Sequence, residues 1–212
     1  HGGDRTGRGA IVRVVVALRT MSAMSARAWA PVLALALLAG APGTALAQAA
    51  IDPAHSWLGF EVYTRFGQRV AGEFPEFQGR VEALADGRQR VRLQVATSQA
   101  RIPERPRYTS WMRGASFFDT GRHPLMEFVS EPYPVELLRH GGTLRGQLTL
   151  RGVTRPQRLE VQPATCERPG IDCQIRVSGS IDRSDFDMRQ WQLALADRVW
   201  LLARLQLDGT VE

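Results

Sequence analysis

No lysine occurs anywhere in the 212 residues; all 27 basic side chains are arginine. Nowhere do these arginines interleave with aromatics as a single-strand binder would require, which removes nucleic acid from the expected partners. Long hydrophobic runs are missing as well. The longest, Ala28 to Ala39, has twelve residues, too few for a bilayer core that takes about 20 as a helix. No later stretch is longer or drier, so no stable membrane span is expected. Beyond residue 47 histidine is scarce: His55, His123 and His140 stand in turns or strand ends, none spaced as a metal pair with another His, Asp or Glu. No GxSxG, HExxH or phosphate-cradling glycine loop is present. The sequence therefore offers no catalytic residue, no metal site and no cofactor.

What is present begins with an export signal. From Met24 the chain carries one arginine, Arg27, then the apolar run, then a small-x-small site at Ala45, Leu46 and Ala47. This is the pattern of a cleavable signal peptide over residues 24–47, with cleavage expected after Ala47. Residues 1–23 read as an upstream extension outside the fold, and residues 48–212 as a single domain. The charge balance changes with that division. The whole chain has a formal charge of +6 and a pI near 10.5. Its first 47 residues hold five arginines and one aspartate, which leaves 22 basic against 20 acidic groups, a net +2.

The stretch from Thr143 to Val161 organises the rest. Leu144, Gly146, Leu148 and Leu150 alternate with Arg145, Gln147, Thr149 and Arg151, the period of a strand with one dry face. After a region rich in Gly, Thr and Pro, Leu159 and Val161 resume on odd numbers. Opposed residues of a hairpin share a face, so this switch of parity requires a connection with an even number of residues. Similar alternation predicts strands over Ser56 to Phe66, Val70 to Phe74, Phe77 to Ala83, Arg90 to Ala96, Leu125 to Ser130 and Val199 to Leu207. Tyr108, Trp111 and Met112 stand at i, i+3 and i+4 before Gly114, which predicts one short helix. About eight antiparallel strands and one helix predict an all-β barrel, since an open sheet of this size leaves long unpaired edges.

Cys166 and Cys173 are expected to form a disulfide in an exported chain. A symmetric hairpin through that bridge sets Val161 opposite Ser178, yet Ile175, Val177 and Ile181 share the odd numbering of Val161. A bulge or irregular loop between Gln162 and Cys173 is therefore expected. Asp182, Asp185 and Asp187 lack the downstream Glu of a calcium loop and read as an acidic turn paired with Arg183 and Arg189. Gly59, Gly72, Gly79, Gly146 and Gly179 either relieve strand curvature or leave a tunnel; the pattern allows both.

Four stretches in the same order, WLGFEVYTRFGQRVAGEF, ASFFDTGRHPLMEFVS, GQLTLRGVTRPQRLEV and IDRSDF, resemble the YceI-like family of bacterial exported proteins. The likeness runs from about Ile51 to Leu207. It implies a lipocalin-like eight-stranded antiparallel barrel with one short helix, located in the periplasm. It further implies a binding or carrier protein for a polyisoprenoid, quinone or fatty-acyl lipid, without catalysis. Thr64, Thr109 and Trp111 stand where many members carry His, Asp and His, so a ligand head would be met differently here. The candidate lipid-binding residues on the dry faces are Phe60, Val62, Phe74, Phe77, Leu93 and Val95. From the helix onward they continue with Trp111, Phe117, Phe128, Leu148, Leu150 and Val177. Two alternatives remain: an enzyme at the barrel mouth, with His123 and Asp119 as its acid and base, or a filled barrel serving as an interaction module. A homodimer is compatible with the pattern.

Overall fold

Alternating apolar and polar side chains build ten strands that join in one antiparallel sheet. The computed structural model describes residues 48–209; the expected upstream extension, signal peptide and cleavage site lie outside them. In chain order the strands are β1 (Gln48–Ala50), β2 (Trp57–Thr64), β3 (Arg69–Glu73), β4 (Phe77–Ala83) and β5 (Gln89–Ala96). Then follow helix α1 (Pro106–Arg113), β6 (Leu125–Ser130), helix α2 (Glu136–His140), β7 (Gly142–Leu150), β8 (Val153–Val161), β9 (Ile175–Asp182) and β10 (Leu195–Leu205). Neighbours across the sheet run β1-β4-β5-β6-β7-β8-β9-β10-β2-β3.

The structure corrects the expected count and closure. The sheet has ten strands where about eight were expected, and it is strongly curled, a half-barrel whose edges are β1 and β3. Two interruptions shape the sheet, the first adding β1 and the second already marked in the sequence at Pro75. Residues 48–64 are broken by a 3-10 turn at Pro53–His55, residues 69–83 are broken at Phe74 to Glu76, and the broken stretches pair with each other on both sides of the break. Pro75 has no N–H to donate there. Both edges are short, and the backbone of Arg101 exchanges two hydrogen bonds with Glu73 at the end of β3, at 2.8 and 2.9 Å. The curl also brings distant chain together: Asp52 N–H donates to Gln206 C=O at 2.9 Å and Asp208 N–H to Ala50 C=O at 2.8 Å. A second short helix, α2, was not expected and leads into β7.

The expected β7–β8 hairpin is present with the even connection its parity demands. Leu150 pairs with Val153 and Leu144 with Leu159. The turn is the two residues Arg151 and Gly152, at φ 53° and 74°, a left-handed pair that suits the twist of a two-residue hairpin. Thr154 and Pro156 belong to the strand, so the turn is shorter than the Gly, Thr and Pro composition suggests. The predicted slip is also observed: Val161 faces Val177, and Gln162 to Gln174 form an irregular loop held by the Cys166–Cys173 disulfide, with Cα atoms 6.1 Å apart. The β8–β9 ladder has only the pairs Leu159–Gly179, Glu160–Ser178 and Val161–Val177. Beside this seam the buried Gln157 donates to Arg158 C=O at 2.9 Å and Ser180 C=O at 3.0 Å.

The five strand glycines do not leave a tunnel. A β-carbon on Gly72, Gly146 or Gly179 would collide with Phe60, Phe128 or Leu159, one on Gly79 with Ile51, and one on Gly59 with Trp57. Neighbouring side chains occupy the volume the glycines give up.

Candidate functional site

Helix α1 lies over one end of the curled sheet, and its sequence fixes it there. Pro106 starts it, and Gly114 ends it by donating its N–H to Trp111 C=O at 3.0 Å. Thr109 Oγ1 accepts from Ile102 N–H at 2.9 Å and Arg113 Nε donates to Ala100 C=O at 2.8 Å, tying the helix to the segment that leaves β5. The turn after it is anchored by Arg151 Nη1, which donates to Phe117 C=O at 2.6 Å.

Beneath α1 is an apolar cavity of about 270 Å³. One wall is Phe60, Val62 and Val70 of β2 and β3; the roof is Tyr108, Trp111 and Met112; Phe117, Phe118, Met188, Trp191, Leu195 and Val199 complete it. Its polar members are Thr64, Gln68 and Arg183. The floor is a trio of rings: Phe60 to Phe74 at 5.3 Å between centroids, Phe74 to Phe118 at 5.9 Å, and Phe60 to Phe118 edge to face at 6.0 Å. Below the trio a second void of about 80 Å³ lies among Phe74, Leu93, Met126, Phe128, Leu148 and Leu159. The interior is thus two apolar spaces with aromatic rings between them.

Of the twelve candidate lining residues, Phe60, Val62, Trp111 and Phe117 border the upper cavity. Phe74, Leu93, Phe128, Leu148 and Val177 border the lower void. Val95 and Leu150 are each 1% exposed in the packed core, and Phe77 packs against that core. Tyr108 and Met112 were signalled by helical spacing alongside Trp111. The contribution of Met188 to Ala194 was not, because that stretch has neither a strand nor a helix period; Val199 was signalled by the last strand.

Arg183 departs most from its sequence reading. It is 3% exposed and bonds no carboxylate of the acidic turn. Its guanidinium donates to the carbonyls of Ala196 (3.0 Å), Met188 (3.1 Å), Gln190 (3.1 Å) and Leu195 (3.4 Å), fastening the loop that forms one side of the cavity. Burial pushes its pKa down, and the carboxylate of Asp197 works against that shift. Asp197 itself binds Ser184, whose N–H and hydroxyl reach it at 3.0 and 2.5 Å, while Asp182 accepts from Arg198 at 3.3 Å.

Asp119 and His123, the candidate acid and base, border neither space. The Asp119 carboxylate pairs with Arg122, which holds its pKa below the ordinary aspartate value.

Curled antiparallel strands around an apolar cavity, with a short helix across its mouth, define the class: a β protein with a hydrocarbon-lined interior. The chain belongs to the YceI-like domain family, whose model matches residues 50–207. Its fold is similar to that of BcnA from Burkholderia cenocepacia, at TM-score 0.60 and 19% identity over 75% of this chain and 99% of that one. It is also similar to a polyisoprenoid binding domain from Saccharophagus degradans implicated in plant cell wall breakdown, at TM-score 0.54 and 16% identity over 76% and 99% of the two chains. A YceI protein of Campylobacter jejuni matches at TM-score 0.52 and 17% identity over 68% and 87%. The chain has no match among curated proteins.

Proposed function

We propose that this protein is a periplasmic binding or carrier protein that holds the tail of a long apolar amphiphile, a polyisoprenoid, quinone or fatty-acyl lipid, inside its curled sheet. In this reading residues 48–64 and 69–83 each act as one stave, and the sheet works as an eight-stave lipocalin-like barrel. The observation that carries the proposal is the upper cavity, whose walls are almost wholly hydrocarbon and aromatic. The driving force is apolar burial at about 0.8 kcal/mol per methylene, offset by the ordering of a flexible tail. Ligand pockets commonly measure about 300–1,000 Å³, so the upper space of about 270 Å³ takes the first part of a tail. A longer one must turn the Phe118 ring aside to reach the lower void. The polar end then stays near Thr64, Gln68 and Trp191 at the mouth.

The test is organic extraction of the protein purified from the periplasm of its host, followed by mass spectrometry. A stoichiometric long-chain lipid is expected. Repeated recovery of a protein that neither carries nor takes up such lipids overturns the reading. Fractionation of the same cells and sequencing of the mature N-terminus test the location, with Gln48 as the expected first residue.

A further inference from the structure

Around the mouth of the cavity the molecule exposes side chains that folding normally hides. Phe66 is 96% exposed and Leu193 is 95% exposed. Phe66 sits on the β2–β3 turn between the cavity residues Thr64 and Gln68. Leu193 sits between the cavity residues Trp191 and Ala194. The two tips stand side by side because Arg65 N–H donates to Ala194 C=O at 2.9 Å and Arg65 Nε to Gln192 C=O at 3.0 Å. Next to them runs a half-exposed aromatic row, Trp191 stacked on Trp111 at 5.9 Å and Trp111 on Tyr108 at 5.5 Å. Arg107 and Arg105 lie over the last two rings. Trp191 has φ 64°, a left-handed backbone unfavourable for so large a side chain, and it is kept there by a loop that Arg183 fastens.

Single exposed apolar residues need no explanation, but two fully exposed tips joined to an aromatic row at a cavity entrance form a patch. We propose that this rim is a docking face for a lipid bilayer rich in anionic head groups, through which an apolar tail passes directly between membrane and cavity. Charge selects the partner: Arg65, Arg105, Arg107 and Arg189 face solvent on these segments against the carboxylates of Glu104, Asp185 and Asp187. Geometry selects it too. Phe66 and Leu193, the most exposed, enter the acyl boundary, the half-exposed Trp191, Trp111 and Tyr108 sit at head-group level, and the arginines meet phosphate. The passage of a tail rests on the lipid-binding reading above; the docking does not.

The experiment is flotation of the purified protein with vesicles of phosphatidylglycerol and phosphatidylcholine, and with phosphatidylcholine alone, at low and high salt. The protein should float with the anionic vesicles, less so at high salt, with a blue shift in tryptophan emission. The Phe66→Ser/Leu193→Ser variant should lose binding by roughly tenfold or more while keeping its melting temperature and retaining lipid loaded into it in detergent, since neither residue lines the cavity. No flotation of the parent protein, or equal flotation of the variant, overturns the proposal. A concentration-dependent dimer that the variant abolishes, without flotation, also overturns it and assigns the face to a second copy of the chain. Flotation of a protein that never carries lipid upholds docking and refutes lipid binding; lipid content without flotation does the reverse.

Discussion

A guanidinium buried without a carboxylate at hydrogen-bond distance is costly unless its N–H groups find acceptors. Arg183 finds four carbonyls, those of Met188 and Gln190 in the loop beside the cavity and those of Leu195 and Ala196 where β10 begins. Replacing it with methionine should lower stability by about 3 kcal/mol, read from urea unfolding, and amide exchange should quicken first between Met188 and Ala196. Its role was not legible in the sequence, where three nearby aspartates suggest ion pairs; only the fold shows that the loop carbonyls lie closer. Phe118 is the opposite case, an aromatic visible in the sequence whose importance depends on Phe60 of β2 and on Phe74 in the break after β3. Phe118→Ala removes one of the three rings between the upper and lower spaces. It should cost at most about 3 kcal/mol, since one face of the ring already borders a void, and mass spectrometry should then recover longer bound tails.

Strands were legible wherever one face is dry. β7 buries Leu144, Gly146, Leu148 and Leu150 as its alternation predicts, and the parity switch to β8 anticipates the two-residue turn. Gly152 at φ 74° is the position in that turn where a side chain is least welcome. Gly152→Ala should destabilise the protein by about 1 kcal/mol, with the β7–β8 hairpin the first element to lose exchange protection. Elements set by tertiary contact were not legible. β1 is three residues without alternation, ordered by pairing with β4, and α2 has too few residues to show a helical period. Reduction or Cys166→Ala/Cys173→Ala substitution should cost about 2.5 kcal/mol, the loop between them being short. The strand pairs on either side should survive, because Val161 and Val177 are aligned by their own dry faces.

On the scale of the whole molecule, the core extends past the cavities to Tyr133, which is 6% exposed. Burial pushes its hydroxyl pKa up to about 12 from 10.0. The raised value favours the neutral form in the folded state, so stability should hold below pH 10 and fall as pH rises from 10 toward 12. Tyr133→Phe should flatten that part of the alkaline unfolding curve. The general architecture, antiparallel and curled around apolar side chains, was legible because each strand shows its inner face. Closure was not, since alternation says which face is dry and nothing about where a ladder stops.

The hydrogen bonds between Ala50 to Asp52 and Gln206 to Asp208 have a consequence in time. They join residues more than 150 positions apart, and β10, one of the last elements made, pairs with β2, one of the first. A nascent chain cannot complete this fold until nearly all of it has emerged. Folding should therefore be slow, in the range of milliseconds to seconds typical of non-local β topologies, and a chain ending before β10 should leave β2 and β9 with open edges and aggregate. On the proposed periplasmic location, that late-closing contact would keep the chain unfolded until it had crossed the membrane.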